Sequence, residues 1–132
     1  MQKTENHNNT VCVIIAGTRT FADYDLLCRK CDEILHGKAL THSVVIVSGT
    51  ARGADQLGER YAAERGYQVR RFPADWDRHG KAAGYIRNAE MADNANMLIA
   101  FWNGVSRGTK NMIDTAKNRG LEVHVIEYSI CK

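Results

Sequence analysis

Three uninterrupted apolar runs punctuate this sequence: VCVIIA at 11–16, VVIVS at 44–48 and MLIAFW at 97–102. Each is too short to span a membrane and too continuous for a strand with one wet face. Such runs suit strands covered on both sides. Between them lie segments of helical period. Tyr24, Leu27, Cys28, Cys31, Ile34 and Leu35 recur at i, i+3, i+4, i+7, i+10 and i+11, one stripe of a helix over 24–36. Ala54, Leu57, Tyr61, Ala62 and Arg65 repeat the spacing and stop at Gly66, a residue suited to a helix C-terminus. Residues 68–72, closed by Pro73, make a weaker strand, and 74–80 read as a loop. Helices over 81–94 and 110–118 and a last strand over 121–127 complete the series. Strands alternating with helices of this length imply a parallel sheet with helices on both faces. The expected fold is therefore a Rossmann-like, three-layer α/β domain with about five parallel strands.

The 132 residues suit one domain, expected over 11–132 behind a disordered polar tail at 1–10. A chain 44% hydrophobic and 25% charged is neither wholly disordered, collagenous nor a coiled-coil rod. No apolar run approaches the ~20 residues that cross a bilayer. The opening MQKTENHNNT lacks the apolar stretch of a secretory signal, so a cytoplasmic location is expected. The net charge of +3 is modest. Arg70, Arg71, Arg78 and Trp76 are the pieces of a single-strand-binding groove, but there is no long basic block, so nucleic acid is not the expected partner. Cys28 and Cys31 form a CxxC, yet both lie on the apolar stripe and no second CxxC exists. They read as reduced core thiols, with Cys12 and Cys131 in strand-like segments. Asp75, Asp77 and His79 alternate, but read as a solvated rim. No metal and no cofactor is expected.

In an open parallel sheet, ligands bind beyond the carboxyl ends of the strands. Three loops there share one composition. Gly17-Thr18-Arg19-Thr20 follows the first strand. Ser48-Gly49-Thr50-Ala51-Arg52-Gly53-Ala54-Asp55 follows the second, and Asn103-Gly104-Val105-Ser106-Arg107-Gly108-Thr109 the fourth. Glycine lets backbone approach a ligand, hydroxyls and helix N-termini donate hydrogen bonds, and Arg grips phosphate in a planar fork. Together these loops predict an anion pocket holding phosphate or ribose through Gly17, Thr18, Arg19, Ser48, Gly49, Arg52 and Gly53. Asp55 is placed to accept from a ribose hydroxyl or to cap its helix. Trp76 either stacks on a base or anchors its loop. Neither GxGxxG nor GxxxxGK[ST] occurs, so dinucleotide and P-loop sites are not indicated.

The residues also carry a resemblance. SGTARGAD, Ser48 to Asp55, resembles the SGxARGxD signature of the DNA-processing protein A (Smf) fold. Arg87-Asn88-Ala89-Glu90-Met91, followed by Gly104 to Thr109, resembles the RKxxM and PGGxGTxxE elements of the LOG phosphoribohydrolases. Both families belong to the SLOG superfamily, and the run Pro73 to Ala92 is most similar to its small single-domain YspA-like branch. The resemblance implies a nucleotide or nucleotide-derived, phosphoribosyl ligand, with the protein acting as sensor, sponge or adaptor. It implies that Arg87, Asn88, Gly104, Ser106, Gly108 and Thr109 close the site, and that the chain pairs as a homodimer. The alternative it implies is hydrolysis of an N-glycosidic bond in a nucleoside monophosphate. In that pattern the catalytic Glu falls on Met112, which leaves Arg87 with Glu90 as candidate catalytic groups.

Overall fold

The structure, a computed structural model, describes residues 9–128. Residues 1–8 of the expected tail and Cys131 lie outside the described residues. Thr10, assigned above to the tail, opens the first strand instead, and Asn9 accepts the Ser43 N–H through its carbonyl at 2.7 Å.

Five strands alternate with helices: β1 (Thr10–Gly17), α1 (Tyr24–Thr41), β2 (Ser43–Ser48), α2 (Ala54–Arg65) and β3 (Gln68–Arg71). They continue with α3 (Trp76–His79), a single 3-10 turn (Gly80–Ala82), α4 (Ala83–Asp93), β4 (Met97–Trp102), α5 (Arg107–Asn118) and β5 (Glu122–Glu127). All pairings are parallel and the sheet order is β3-β2-β1-β4-β5. This is the three-layer α/β architecture the apolar runs predict.

Strand alternation sorts the core into two layers. Val13, Ile15, Ile46, Ile99 and Phe101 face α1 and α2, where Leu27, Cys31, Leu35, Tyr61 and Ala62 pack. Ile14, Ala16, Val47, Leu98 and Ala100 face the other way, against Met91 and Ala92 of α4 and Met112, Ile113 and Ala116 of α5. A strand buried on both faces needs apolar side chains at every position, which is why β1, β2 and β4 are unbroken runs. The edges are blunted by charge, with Arg70 and Arg71 on β3 and Glu122 and Glu127 on β5. Cys31 is fully buried in the first layer and Cys28 packs against it, both as free thiols.

Several boundaries differ from the sequence reading, and four of them have a clear local reason. The α1 helix runs on to Thr41 because nothing after Leu35 breaks it except one glycine, and it ends where the His42 N–H reaches back to the Lys38 carbonyl. The loop expected at 74–80 holds α3, started by Asp75, whose carboxylate accepts the Arg78 N–H at 3.1 Å. The next helix accordingly begins at Ala83 rather than Lys81. Helix α5 begins at Arg107, three residues early, because the Ser106 hydroxyl accepts the Thr109 N–H at 3.3 Å. Caps act through polar atoms, so an apolar-period reading misses the first turn.

Candidate functional site

The chain leaves β1, at the sheet centre, for β2 on one side, while β4 occupies the other. The crevice between the carboxyl ends of β1 and β4 is the switch point of the topology, where ligands settle in open α/β sheets. Two contacts tie the walls of that crevice together. The Thr18 N–H donates to the Phe101 carbonyl at 3.0 Å, and the Asn103 N–H donates to Thr18 Oγ1 at 3.2 Å. Gly17 permits this approach, since a Cβ there would lie 2.2 Å from the Phe101 carbonyl oxygen.

A cavity of about 420 Å³ opens above this crevice. The loop after β1 contributes Gly17, Thr18, Arg19 and Thr20 to its wall. The turn into α2 contributes Ala51 and Asp55, and the start of α5 contributes Ser106, Gly108 and Thr109. All three loops picked out by composition therefore meet at one hollow. Segment 76–91 closes it with Trp76, Lys81, Gly84, Tyr85, Arg87 and Asn88, and Ala16, Met91 and Met112 add apolar wall.

The polar side chains are held by bonds to neighbouring elements. From α4, Arg87 donates through Nη1 to the Gly49 carbonyl and through Nε to Asn88 Oδ1 at 3.1 Å. Asn88, buried, donates to Asn111 Oδ1 of α5 at 2.9 Å, so the two helices share one network. Ser106 and Thr109 join their hydroxyls at 3.0 Å at the α5 N-terminus. The first N–H groups of that helix and its dipole make the end electropositive. Asn103 Oδ1 accepts the N–H groups of Val105 and Ser106, both at 2.9 Å, and so fixes the loop that carries Gly104 into α5.

Charge in the cavity is lopsided. Arg19, Lys81 and Arg87 line it, against one acid among the lining residues, Asp55. Burial lowers the affinity of the Arg87 guanidinium for its proton. Asp55 opposes this and Arg19 adds to it. Asp55 is 5% exposed and accepts the Ala51 N–H on Oδ2 at 3.1 Å. Burial pushes its carboxyl up to about 6, against the lowering pull of that hydrogen bond and of Arg87 and Arg19, while Glu59 raises it.

The pKa of Asp55 has a thermodynamic consequence. Below about pH 4 the group is neutral in both folded and unfolded chains. Between about 4 and 6 only the unfolded chain loses its proton, and above that the native state carries the full penalty of a buried charge. Stability contributed by the neutral acid is thus lost as pH rises through about 6. Asp55→Asn keeps an acceptor for the Ala51 N–H and has no charge to bury. Urea unfolding should find the variant more stable than wild type by on the order of 2–3 kcal/mol at pH 7.5, with the gap shrinking towards pH 4. A less stable variant at pH 7.5 would mark the carboxylate as a structural partner of Arg87 instead.

Several residues singled out from sequence lie behind the wall or away from it. The buried Ser48 hydroxyl donates to Glu59 Oε2 at 2.7 Å and accepts the Thr50 N–H at 3.0 Å, which shapes the loop. Gly49 backs the cavity, since a Cβ on it would meet Arg87 Nη1 and Asp55 Oδ2, both at 2.7 Å. Gly53 turns the chain into α2. Arg52 is exposed and is not among the lining residues. Glu90 is exposed and also absent from the lining, although three residues along the helix from Arg87 is a neighbouring position. Gly104 lies in the loop before α5 without lining the cavity. The structure also brings in Tyr85, which the sequence reading passed over. Lys81, four residues earlier, lies in the 3-10 turn while Tyr85 stands in the first turn of α4, so no single helical period in the sequence marks Tyr85.

Comparison with known proteins agrees with this architecture. Residues 11–79 match the model of a family described as "YspA, cpYpsA-related SLOG family". The "Gene 61 protein" of Mycobacterium phage D29 is 35% identical over 117 residues, covering 84% of this chain and 92% of that protein. DNA processing protein A (DprA) from Streptococcus pneumoniae has the same fold, with a TM-score of 0.69 at 18% identity, over 95% of this chain. This chain spans about half of DprA, 53% of its length. With more than half of the chain matched by the family model and the switch-point loops in place, the protein belongs to the YspA, cpYpsA-related SLOG family.

Proposed function

We propose that the cavity binds a nucleotide or nucleotide-derived, phosphoribosyl ligand, and that the protein works through that binding as a sensor, sponge or adaptor. One observation carries the reading. Two guanidinium groups from separate elements, Arg19 and Arg87, line one hollow together with the N-terminal turn of α5. Like charges gathered there repel until an anion enters between them. A phosphate at that end receives backbone N–H groups, the Thr18, Ser106 and Thr109 hydroxyl region and the Arg forks. At the rim, Trp76 and Tyr85 are 51% and 50% exposed and offer ring faces to a planar base.

The test is thermal unfolding against nucleoside mono- and diphosphates, cyclic nucleotides, NAD and ADP-ribose. A ligand at ~100 times its Kd should add about 2.7 kcal/mol of stability. A protein that no member of the panel stabilises would overturn the reading.

Hydrolysis of an N-glycosidic bond is the second reading, supported by the carboxylate of Asp55 in the wall. Binding is favoured because Met112, at the position of the LOG-type Glu, puts a thioether against the cavity where that chemistry needs a carboxylate. Release of free base from a nucleoside monophosphate, lost in Asp55→Asn, would reverse that order.

A further inference from the structure

The cavity gathers cations for an anion, and yet it holds one acid. Asp55 Oδ2 is used by the Ala51 N–H, whereas Oδ1 has no hydrogen-bond partner among the described residues. Oδ1 is also absent from the polar atoms that are both fully enclosed and unbonded, so it keeps some accessible surface on a residue that is 5% exposed and lines the cavity. An acceptor with no donor from the protein and little access to water is free to take a hydrogen that a ligand supplies. Neither guanidinium does so within the protein. Arg87 donates to Gly49 and Asn88, and Arg19 acts on the acid through its charge alone. A ligand made only of phosphate oxygens has acceptors alone to offer and meets a like charge there. A ligand carrying hydroxyl groups beside its phosphate satisfies both sides of the cavity at once.

We propose that Asp55 is a specificity-determining residue of this cavity: its unpaired oxygen selects phosphomonoesters that bring a hydroxyl donor, as a pentose does, over phosphate groups without one. The inference rests on the phosphate-binding reading above and goes further by assigning the sugar end of the ligand to one atom. The groups facing Asp55 are the Ala51 N–H, the Arg87 and Arg19 guanidinium groups and Glu59 one turn along α2. Burial that holds the carboxyl near 6 is consistent with a site whose charged form lacks enough donors of its own.

Asp55→Asn tests the proposal because it inverts one hydrogen bond and preserves the other. When the Asn carbonyl takes over the Ala51 N–H, its NH2 group points where the carboxylate oxygen was. An acceptor thereby becomes a donor. The probes are ribose 5-phosphate and methyl phosphate, which carry the same phosphomonoester charge and differ in sugar hydroxyls. Titration calorimetry or ligand-observed NMR gives their affinity ratio at pH 8. Wild type should favour ribose 5-phosphate, and the ratio should fall at least ~10-fold in the variant, the range of a hydrogen bond to a charged group. Methyl phosphate itself should bind the variant more tightly, because a like charge is gone. A structural role for Asp55 would weaken both probes together and leave the ratio alone, which overturns the proposal. Equal binding of the two probes to wild type overturns it as well. If wild type binds neither probe, the phosphate-binding reading fails and takes this inference with it.

Discussion

Gly53→Ala is expected to destabilise the protein by about 3 kcal/mol or more. Gly53 has φ +78° and ψ −128°, a region that L side chains rarely enter. A Cβ there would also sit 2.4 Å from the Thr18 carbonyl oxygen and 2.5 Å from that of Arg19. Both obstacles are backbone, so no rotamer change relieves them. The Thr18 carbonyl is itself engaged by the Phe21 and Ala54 N–H groups, which join the loop after β1 to the start of α2. Strain at Gly53 thus spreads to two of the three loops of the site. The comparison is Gly108→Ala, at a helical position where a Cβ meets nothing within 4 Å. Alanine is favoured over glycine in a helix by about 1 kcal/mol, so that variant should be as stable as wild type or more so. Chemical denaturation of the two variants reads the difference directly. Equal stability would mean that the loop relaxes around Gly53, and that the close approach of the two loops is not fixed by it.

Arg87→Met is expected to weaken binding of any phosphate ligand at least 100-fold, a loss of about 3 kcal/mol. The substitution keeps an unbranched stem and deletes a guanidinium that bridges Gly49 and Asn88 at the cavity wall. It also removes a positive neighbour of Asp55, so the remaining acid repels an incoming anion with less opposition. Arg52→Ala serves as the contrasting variant. Arg52 carries the same charge in the SGTARGAD motif, but it is exposed and outside the lining. Its loss should cost at most a few-fold, through long-range attraction that salt screens. If Arg52→Ala is the more damaging of the two, the ligand lies over the outer edge of the α2 loop rather than in the cavity.

The contrast between these two arginines marks what is legible in a sequence of this kind. Apolar continuity identified β1, β2 and β4, because a strand with helices on both faces has no position left for water. Gly17, Thr18, Arg19, Gly108 and Thr109 stood out because loops at the strand ends concentrate glycine and hydrogen-bond donors, and all five line the cavity. Composition could not distinguish Arg52 from Arg19 or Arg87. Which way an arginine in a loop projects depends on the backbone turn around it, here a segment with Thr50 at φ +65° before Arg52 and Gly53 after it. Glu90 lies outside the lining for a related reason: three residues along a helix is a nearby position, but the neighbouring helix and sheet decide which flank of the stripe meets the cavity.

From its order of residues alone this chain determined a parallel sheet with helices on both sides and three donor-rich loops at the strand ends, since burial and backbone geometry act through local pattern. The packing of the sheet against its helices decided the rest. It set β1 against β4, drew Arg19, Asp55 and Arg87 around one hollow from positions far apart in the chain, and left Arg52 and Glu90 facing solvent. Electrostatic energy and the cost of an unpaired buried oxygen depend on distance and on exclusion of water, and those quantities exist only once the layers have closed.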